Sequence, residues 1–340
     1  MQNILNSWVI RVHWPALLIA AVALVVAGIY SGNRTMLDTS ILTAIFSVMA
    51  VSLGMIFGQA GLMSLGQAAF AALGAYATAI LTTRWEVSPL IGLLASIAVP
   101  AIIAYPFARL TVRMSHLALA LATLFLGEIL MVLLSQGGEF TGGFVGLGGI
   151  PTLSFATDPV LFHLLAWSFV IIAVFFYSNL MASASGRALN TLRNDVLRSQ
   201  ADGDRGARRL SMLFAFSAGL CGAAGWLYAH YLTYLAPESL PPLMSISLLL
   251  MVIVGGSRYV LGPVVGAAVL TILNDRLPDD IQGLLYGISL VAVLLMAPSG
   301  LLGVVETVWN RVRGHSPQPG NDSDDGDLVL SVKSEEVVAR

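Results

Sequence analysis

Ten stretches of this chain are apolar and almost free of charge: Pro15–Tyr30, Thr39–Gly58, Gly61–Thr82, Pro89–Phe107, Leu117–Leu134, Pro159–Leu180, Leu210–Leu232, Pro242–Gly255, Tyr259–Leu273 and Leu284–Leu302. A backbone that crosses a bilayer must satisfy its own hydrogen bonds, and a helix of about 20 apolar residues does so. A soluble fold is excluded by the shortage of surface charge. Only 11% of residues are charged and 57% are hydrophobic, whereas roughly a quarter are charged in soluble domains. The expected fold is an all-α polytopic membrane protein. The eighth and ninth stretches are short, so the expected number of spans is eight to ten.

Charge orients them. With ten spans and the N-terminus inside, one side receives Arg11, Arg109, Arg113, Arg187, Arg193, Arg198, Arg205, Arg208, Arg209, Arg258, Arg311 and Arg313. The other receives Arg34, Arg84 and Arg276. The arginine-rich side is expected to be cytoplasmic, with both termini there. The run at Pro15–Tyr30 lacks a clear small-x-small cleavage site, so it reads as an uncleaved first span rather than a signal peptide. Residues 1–313 form the membrane domain. Residues 314–340, with "GNDSDDGD" at 320–327, form an acidic cytoplasmic tail too polar to bury a core.

Several functions are disfavoured. A net charge of −2 argues against nucleic acid as a partner. The lone cysteine, Cys221, cannot close an internal disulfide. The five histidines lie far apart in sequence, and no HExxH or CxxC metal signature occurs. The only lysine, Lys333, follows Val332, so no Walker A motif exists to hold ATP. Neither enzyme chemistry nor a cofactor in this chain is expected.

The segment "GQAGLMSLGQAAFAALGAY", Gly58–Tyr76, is uncharged but carries four glycines, a serine and two glutamines. Tight helix packing accounts for the small residues. It accounts poorly for Gln59, Ser64 and Gln67, whose polar groups need partners in lipid. "GGSRYVLGPVVGAA" at 255–268 is a second glycine-rich interruption. Interrupted segments in both halves of a chain point to a transport site; two loose repeats remain one way to read them. Gln59, Ser64, Gln67, Gly255 and Gly256 are therefore expected to line a polar pathway. Glu128, a mid-span carboxylate, is expected to face the bundle interior, either bonding neighbouring helices or lining that pathway. His230, Tyr231 and Tyr234 are placed near the outer mouth, as a gate or as an interfacial aromatic belt.

A resemblance now becomes specific. "SLGQAAFAALGAYATAIL" (64–81), "ATLFLGEI" (122–129), "TGGFVGLGGIP" (141–151), "GRALNTLRND" (186–195), "AGLCGAAGWLYAHYLTYLAPES" (218–239), "LLLMVIVGGSRYVLGPVVGAAVL" (248–270) and "PSGLLG" (298–303) stand in order along the chain. Together they resemble LivM-type permeases of branched-chain amino acid ABC importers. The chain departs from that pattern at Gln67, where histidine is common, at Phe144 and Val145, after Asp195, and in its acidic tail.

The resemblance implies a multi-pass subunit of the bacterial inner membrane. Its partners would be a second, LivH-type permease, two cytoplasmic ATPases that bind ATP and magnesium, a periplasmic solute-binding protein and the lipid bilayer. The solute would be small and neutral or zwitterionic: a branched-chain or other hydrophobic amino acid, or, as alternatives, urea, a short amide or a small aromatic acid. A stand-alone secondary transporter is a further alternative, but Glu128 is the only clear mid-span carboxylate to couple an ion. The resemblance also assigns the loop at 186–209 to ATPase coupling. Its pattern predicts an amphipathic helix, with Gly186, Arg187, Leu189, Leu192, Arg193 and Asp195 as contacts and Leu189 or Leu192 as the anchor buried in the ATPase.

Overall fold

The computed structural model describes residues 2–30, 32–111, 114–194, 206–276 and 300–312; the side chains of residues 2–14, 30, 192, 276, 305 and 308–312 are not included. Helices dominate: α1 Gln2–Tyr30, α2 Arg34–Ala60, α3 Gln67–Arg84, α4 Pro89–Thr111, α5 His116–Gln136, α6 Pro159–Ala182, α7 Ala184–Asn194, α8 Gly206–Leu232, α9 Met244–Gly255, α10 Gly262–Arg276 and α11 Gly300–Val312. Nine of the ten expected spans coincide with α1–α6 and α8–α10; the tenth, Leu284–Leu302, lies largely outside the described residues. Six of the described helical segments are long and apolar enough to cross a membrane. The chain is an all-α polytopic membrane protein.

Local chemistry sets several helix ends. Asn33, Ser115 and Asp158 each accept a backbone N–H as N-caps of α2, α5 and α6, and Pro159 opens α6. Gly61 ends α2 at φ 68°, a left-handed conformation that glycine adopts without strain, and its N–H returns to the Phe57 carbonyl.

The core is built around α2 and α8. The most apolar window of α2 is 83% buried and that of α8 is 78% buried, against 22% for α4 and for α5. Helix α8 packs on α2, α3 and α4, while α2 also meets α6, α9 and α10. Small residues bring the backbones together: a Cβ on Gly74 of α3 would stand 2.4 Å from the Gly222 Cα of α8. Trp226, 1% exposed, fills the adjoining layer and donates its indole N–H to the Pro89 carbonyl at 2.8 Å. By contrast α5 touches the chain chiefly through α3 and the turn at Pro237–Ser239.

One end of the bundle carries α7. The other carries the loop from Gly137 to Asp158, tied down by two antiparallel strands, β1 Leu147–Gly148 and β2 Tyr234–Leu235, with Leu147 opposite Leu235. The compact unit Met1–Leu302 holds every element up to the start of α11. In the second unit, Gly303–Arg340, residues 303–312 continue α11; the acidic tail lies outside the described residues.

Candidate functional site

Between α2 and α3 the chain runs without helix from Gly61 to Gly66. The connector does not stay at the end of α2. Gln67, just after it, donates from Nε2 to Ser217 Oγ at 3.4 Å, and Ser217 Oγ donates to the Ser52 carbonyl at 2.7 Å. Ser52 lies eight residues before the end of α2, about 12 Å back along a helix rising about 1.5 Å per residue. Allowing for side-chain reach, the connector doubles back along α2 into the bundle.

Extended backbone at that depth must find partners inside the protein. Side-chain hydroxyls supply them. Leu65 N donates to Thr123 Oγ1 of α5 at 2.8 Å, and Ala68 N donates to Ser245 Oγ of α9 at 3.0 Å. Gly66 N reaches Ser64 Oγ at 3.4 Å. The polar residues of the opening segment therefore support an unwound stretch. Gln67 also accepts from Cys221 Sγ at 3.1 Å, and Cys221 lies 2.8 Å from Ser52 Oγ. Ser52, Gln67, Ser217 and Cys221 close a buried polar ring among α2, α3 and α8.

The expectation of one polar cavity lined by Gln59, Ser64 and Gln67 is corrected. Ser64 and Gln67 are fully packed, their polar atoms used inside the protein. Gln59 instead borders a cavity of about 470 Å³ at the α7 end, with Gly58, Met181, Gly186, Arg187, Asn190, Arg193 and Arg258. Gly255 and Gly256 line neither: both are buried, and a Cβ on Gly255 would stand 1.7 Å from the Gly262 carbonyl oxygen. They close a tight α9–α10 hairpin.

Helix α7 is amphipathic, as the sequence predicts, and packs against α2, α6 and α8. Leu189 is 2% exposed, so it anchors α7 to its own chain and is not available to an ATPase. Gly186 is buried against the end of α6, and Arg187 donates to the Ala182 carbonyl at 3.0 Å. Arg193 Nη1 donates to the Gly58 carbonyl at 2.6 Å. That carbonyl belongs to the last turn of α2, where cationic donors are favoured. The Leu192 side chain and Asp195 lie outside the described residues.

At the loop end, His230 is 1% exposed and bridges two elements. Its Nδ1 meets the Pro151 carbonyl at 2.7 Å and its Nε2 meets Thr78 Oγ1 at 3.0 Å. Tyr231 donates to Asp38 Oδ1 at 2.6 Å, and the exposed Tyr234 donates to the Val145 carbonyl. The three sit together in sequence but point to different neighbours: His230 and Tyr234 clamp the loop onto the end of α8, while Tyr231 ties that end to α2.

Glu128 is the clearest departure. It does not face the interior of this chain: with Leu121, Phe125, Ile129 and Val132 it lies on the exposed side of α5. Sequence reasoning also missed Thr123, Ser245, Ser217 and Cys221. Their signal was small hydroxyl or thiol groups within apolar runs, which is visible but common. Among the described residues no group of His, Cys, Asp or Glu could hold a metal ion.

A polytopic bundle with a re-entrant unwound segment and a surface helix tied to it has the architecture of a membrane transport protein. Residues 35–294 match the family model described as branched-chain amino acid transport system / permease component, and the chain belongs to that family. It is 29% identical over 319 residues to the high-affinity branched-chain amino acid transport system permease protein LivM of Escherichia coli (strain K12), covering 84% of this chain and 74% of the relative. The same protein of Salmonella typhimurium (strain LT2) matches with the same identity and coverage. No solved structure matches.

Proposed function

We propose that this chain is the membrane permease subunit of an ATP-driven importer for branched-chain or other hydrophobic amino acids. Family membership sets the class. The observation that carries the mechanism is the 2.6 Å hydrogen bond from Arg193 to the Gly58 carbonyl. It joins a surface helix to the end of α2, three residues before the unwound connector begins.

In this reading α7 receives the motion of a partner ATPase. Arg193 passes it to the end of α2. The connector is the part able to respond, because side-chain hydroxyls rather than a helical ladder hold it, and each such bond is worth only about 0.5–1.5 kcal/mol net. Its displacement would open the bundle alternately to the two sides. ATP and magnesium belong to two cytoplasmic ATPase subunits, and a periplasmic solute-binding protein delivers the solute. The α7 end and both termini face the cytoplasm of a bacterial inner-membrane complex.

The exposed face of α5 is where a second permease subunit would dock. A carboxylate at mid-membrane is costly against lipid, so Glu128 calls for a polar neighbour that the described residues of this chain do not supply. A solute path along that seam would place Glu128 beside the solute, near the connector that Thr123 holds.

Reconstitution of the chain in vesicles with the second permease, the ATPases and the binding protein tests the proposal. Leucine uptake should require ATP and the binding protein, and excess urea should not compete. Uptake by the chain alone, driven by an ion gradient, would replace this reading with a secondary transporter. ATP-dependent uptake of urea in place of leucine would move the substrate class.

A further inference from the structure

The cavity at the α7 end has an unusual lining. Arg187 and Arg193 come from α7, and Arg258 comes from the α9–α10 turn; Gln59 and Asn190 add amides, and no carboxylate among the described residues borders it. Among the described residues no ion pair ties any of these three arginines to an acid. Like charges grouped around one space repel unless an anion enters it.

The fold holds them there. A Cβ on Gly58 would stand 2.6 Å from the Ser257 carbonyl oxygen, so the turn that carries Arg258 sits directly on the end of α2. Arg193 is fixed to that same end through the Gly58 carbonyl, and Arg187 is fixed to Ala182. Each of these bonds uses one of five guanidinium N–H donors and orients the remainder. Planar guanidinium forks match phosphate oxygens in pairs, which a point-charge ammonium cannot do.

We propose that this cavity is a binding site for a phosphate group, carried either by an acidic phospholipid headgroup or by a free phosphate in the surrounding water. The position favours the lipid. The cavity lies where α2 and α6 end, at the level where a bilayer presents its headgroups, and basic pockets between membrane helices on the cytoplasmic side bind acidic headgroups. Its volume of about 470 Å³ leaves room for more than the phosphate itself. A transported zwitterion is a poorer fit, since three cations would hold its carboxylate at a point where it must leave. An occupied site would bridge α7 to the α9–α10 turn across the end of α2. The proposal extends the importer reading and borrows from it only the identity of the leaflet.

The test reads binding, not transport, so it stands apart from the uptake experiment. Purified full-length chain is delipidated and titrated with phosphatidylglycerol, phosphatidylcholine or inorganic phosphate, with bound adducts counted by native mass spectrometry and melting followed in parallel. Phosphatidylglycerol should be retained one per chain and raise the melting temperature, and phosphatidylcholine should not. Arg187→Gln and Arg258→Gln should each weaken retention at least tenfold. Arg109→Gln, an exposed arginine at the same end but outside the cavity, should leave it unchanged. Displacement of the lipid by millimolar inorganic phosphate would assign the site to free phosphate. Equal retention of both lipids, or unchanged affinity in both cavity variants, would overturn the proposal.

Discussion

The two glycine-rich interruptions look alike in sequence and are opposite in structure. At Gly255–Gly266 the glycines close space: the backbones of α9 and α10 touch, and the break between them is a short turn. At Gly58–Gln67 the chain unwinds, doubles back and hangs on hydroxyls from α5 and α9. The difference lies in the company the glycines keep. Around the first interruption stand Gln59, Ser64 and Gln67, with Thr123 and Ser245 brought from other helices. At the second, the glycines meet backbone rather than side-chain hydroxyls: a Cβ on Gly262 would stand 2.0 Å from the Gly256 carbonyl oxygen. Glycine permits a break; polar side chains decide whether the break stays open in a membrane.

The sharpest way to break this comparison is to fill the closed region. Gly255→Ala places a methyl 1.7 Å from the Gly262 carbonyl oxygen and 2.9 Å from the Gly266 nitrogen. Backbone must move, and overpacking of this kind costs about 1–3 kcal/mol, occasionally more. A large fall in melting temperature in detergent, or loss of folded protein, is expected. Gly28→Ala in α1 is the control: nothing lies within 4 Å of its Cβ, so its melting should hold or rise slightly. Equal melting of the two variants would mean that the hairpin is not tightly closed.

The next effect belongs to the open region. Gln67→Met keeps the volume and removes both hydrogen bonds, leaving Ser217 and Cys221 without that partner. A buried polar group left unsatisfied costs about 1–3 kcal/mol. The variant should melt below the parent, and Cys221 should react faster with a small thiol reagent as the ring loosens. Unchanged reactivity and melting would show that the ring contributes nothing.

Much of this was legible beforehand. Nine of the expected spans match described helices because apolar length is a direct consequence of the solvent. The α7 helix was legible from its two-faced pattern. The placement of Gln67, Glu128 and Leu189 was not. Gln67 carries an amide that satisfies itself equally well in a cavity or in a packed ring, and the choice depends on Ser217 and Cys221, about 150 residues away. Glu128 is expected inward on the cost of a charge in lipid, an argument that counts only this chain's own helices as possible neighbours. Leu189 lies on an apolar stripe, and a stripe does not say which surface covers it.

Arg193→Gln should have a smaller effect on folding. It removes a charge-assisted bond to the last turn of α2, worth about 0.3–1 kcal/mol at an exposed helix end. The melting temperature should fall only slightly. In the assembled importer the same change should lower solute moved per ATP hydrolysed, while ATPase subunits still associate. Hydrolysis and uptake that remain in parent proportion would remove Arg193 from the coupling route and leave the connector without its link to α7.

Glu128→Gln should be nearly silent in the isolated chain. The side chain is exposed on α5, and a surface substitution away from caps and networks changes stability by about 0.5 kcal/mol or less. This is the comparison carried to a third region, where polarity is present but neither closes a gap nor supports an unwound chain. Its melting temperature should match the parent while that of Gln67→Met does not. The contrast should reverse on assembly with the second permease, where Glu128 would lie against protein or solute. There the glutamine should slow uptake of leucine with the complex intact. If the variant instead destabilised the lone chain as much as Gln67→Met, Glu128 would be bonded within this subunit, and the face of α5 would lose its claim to the seam.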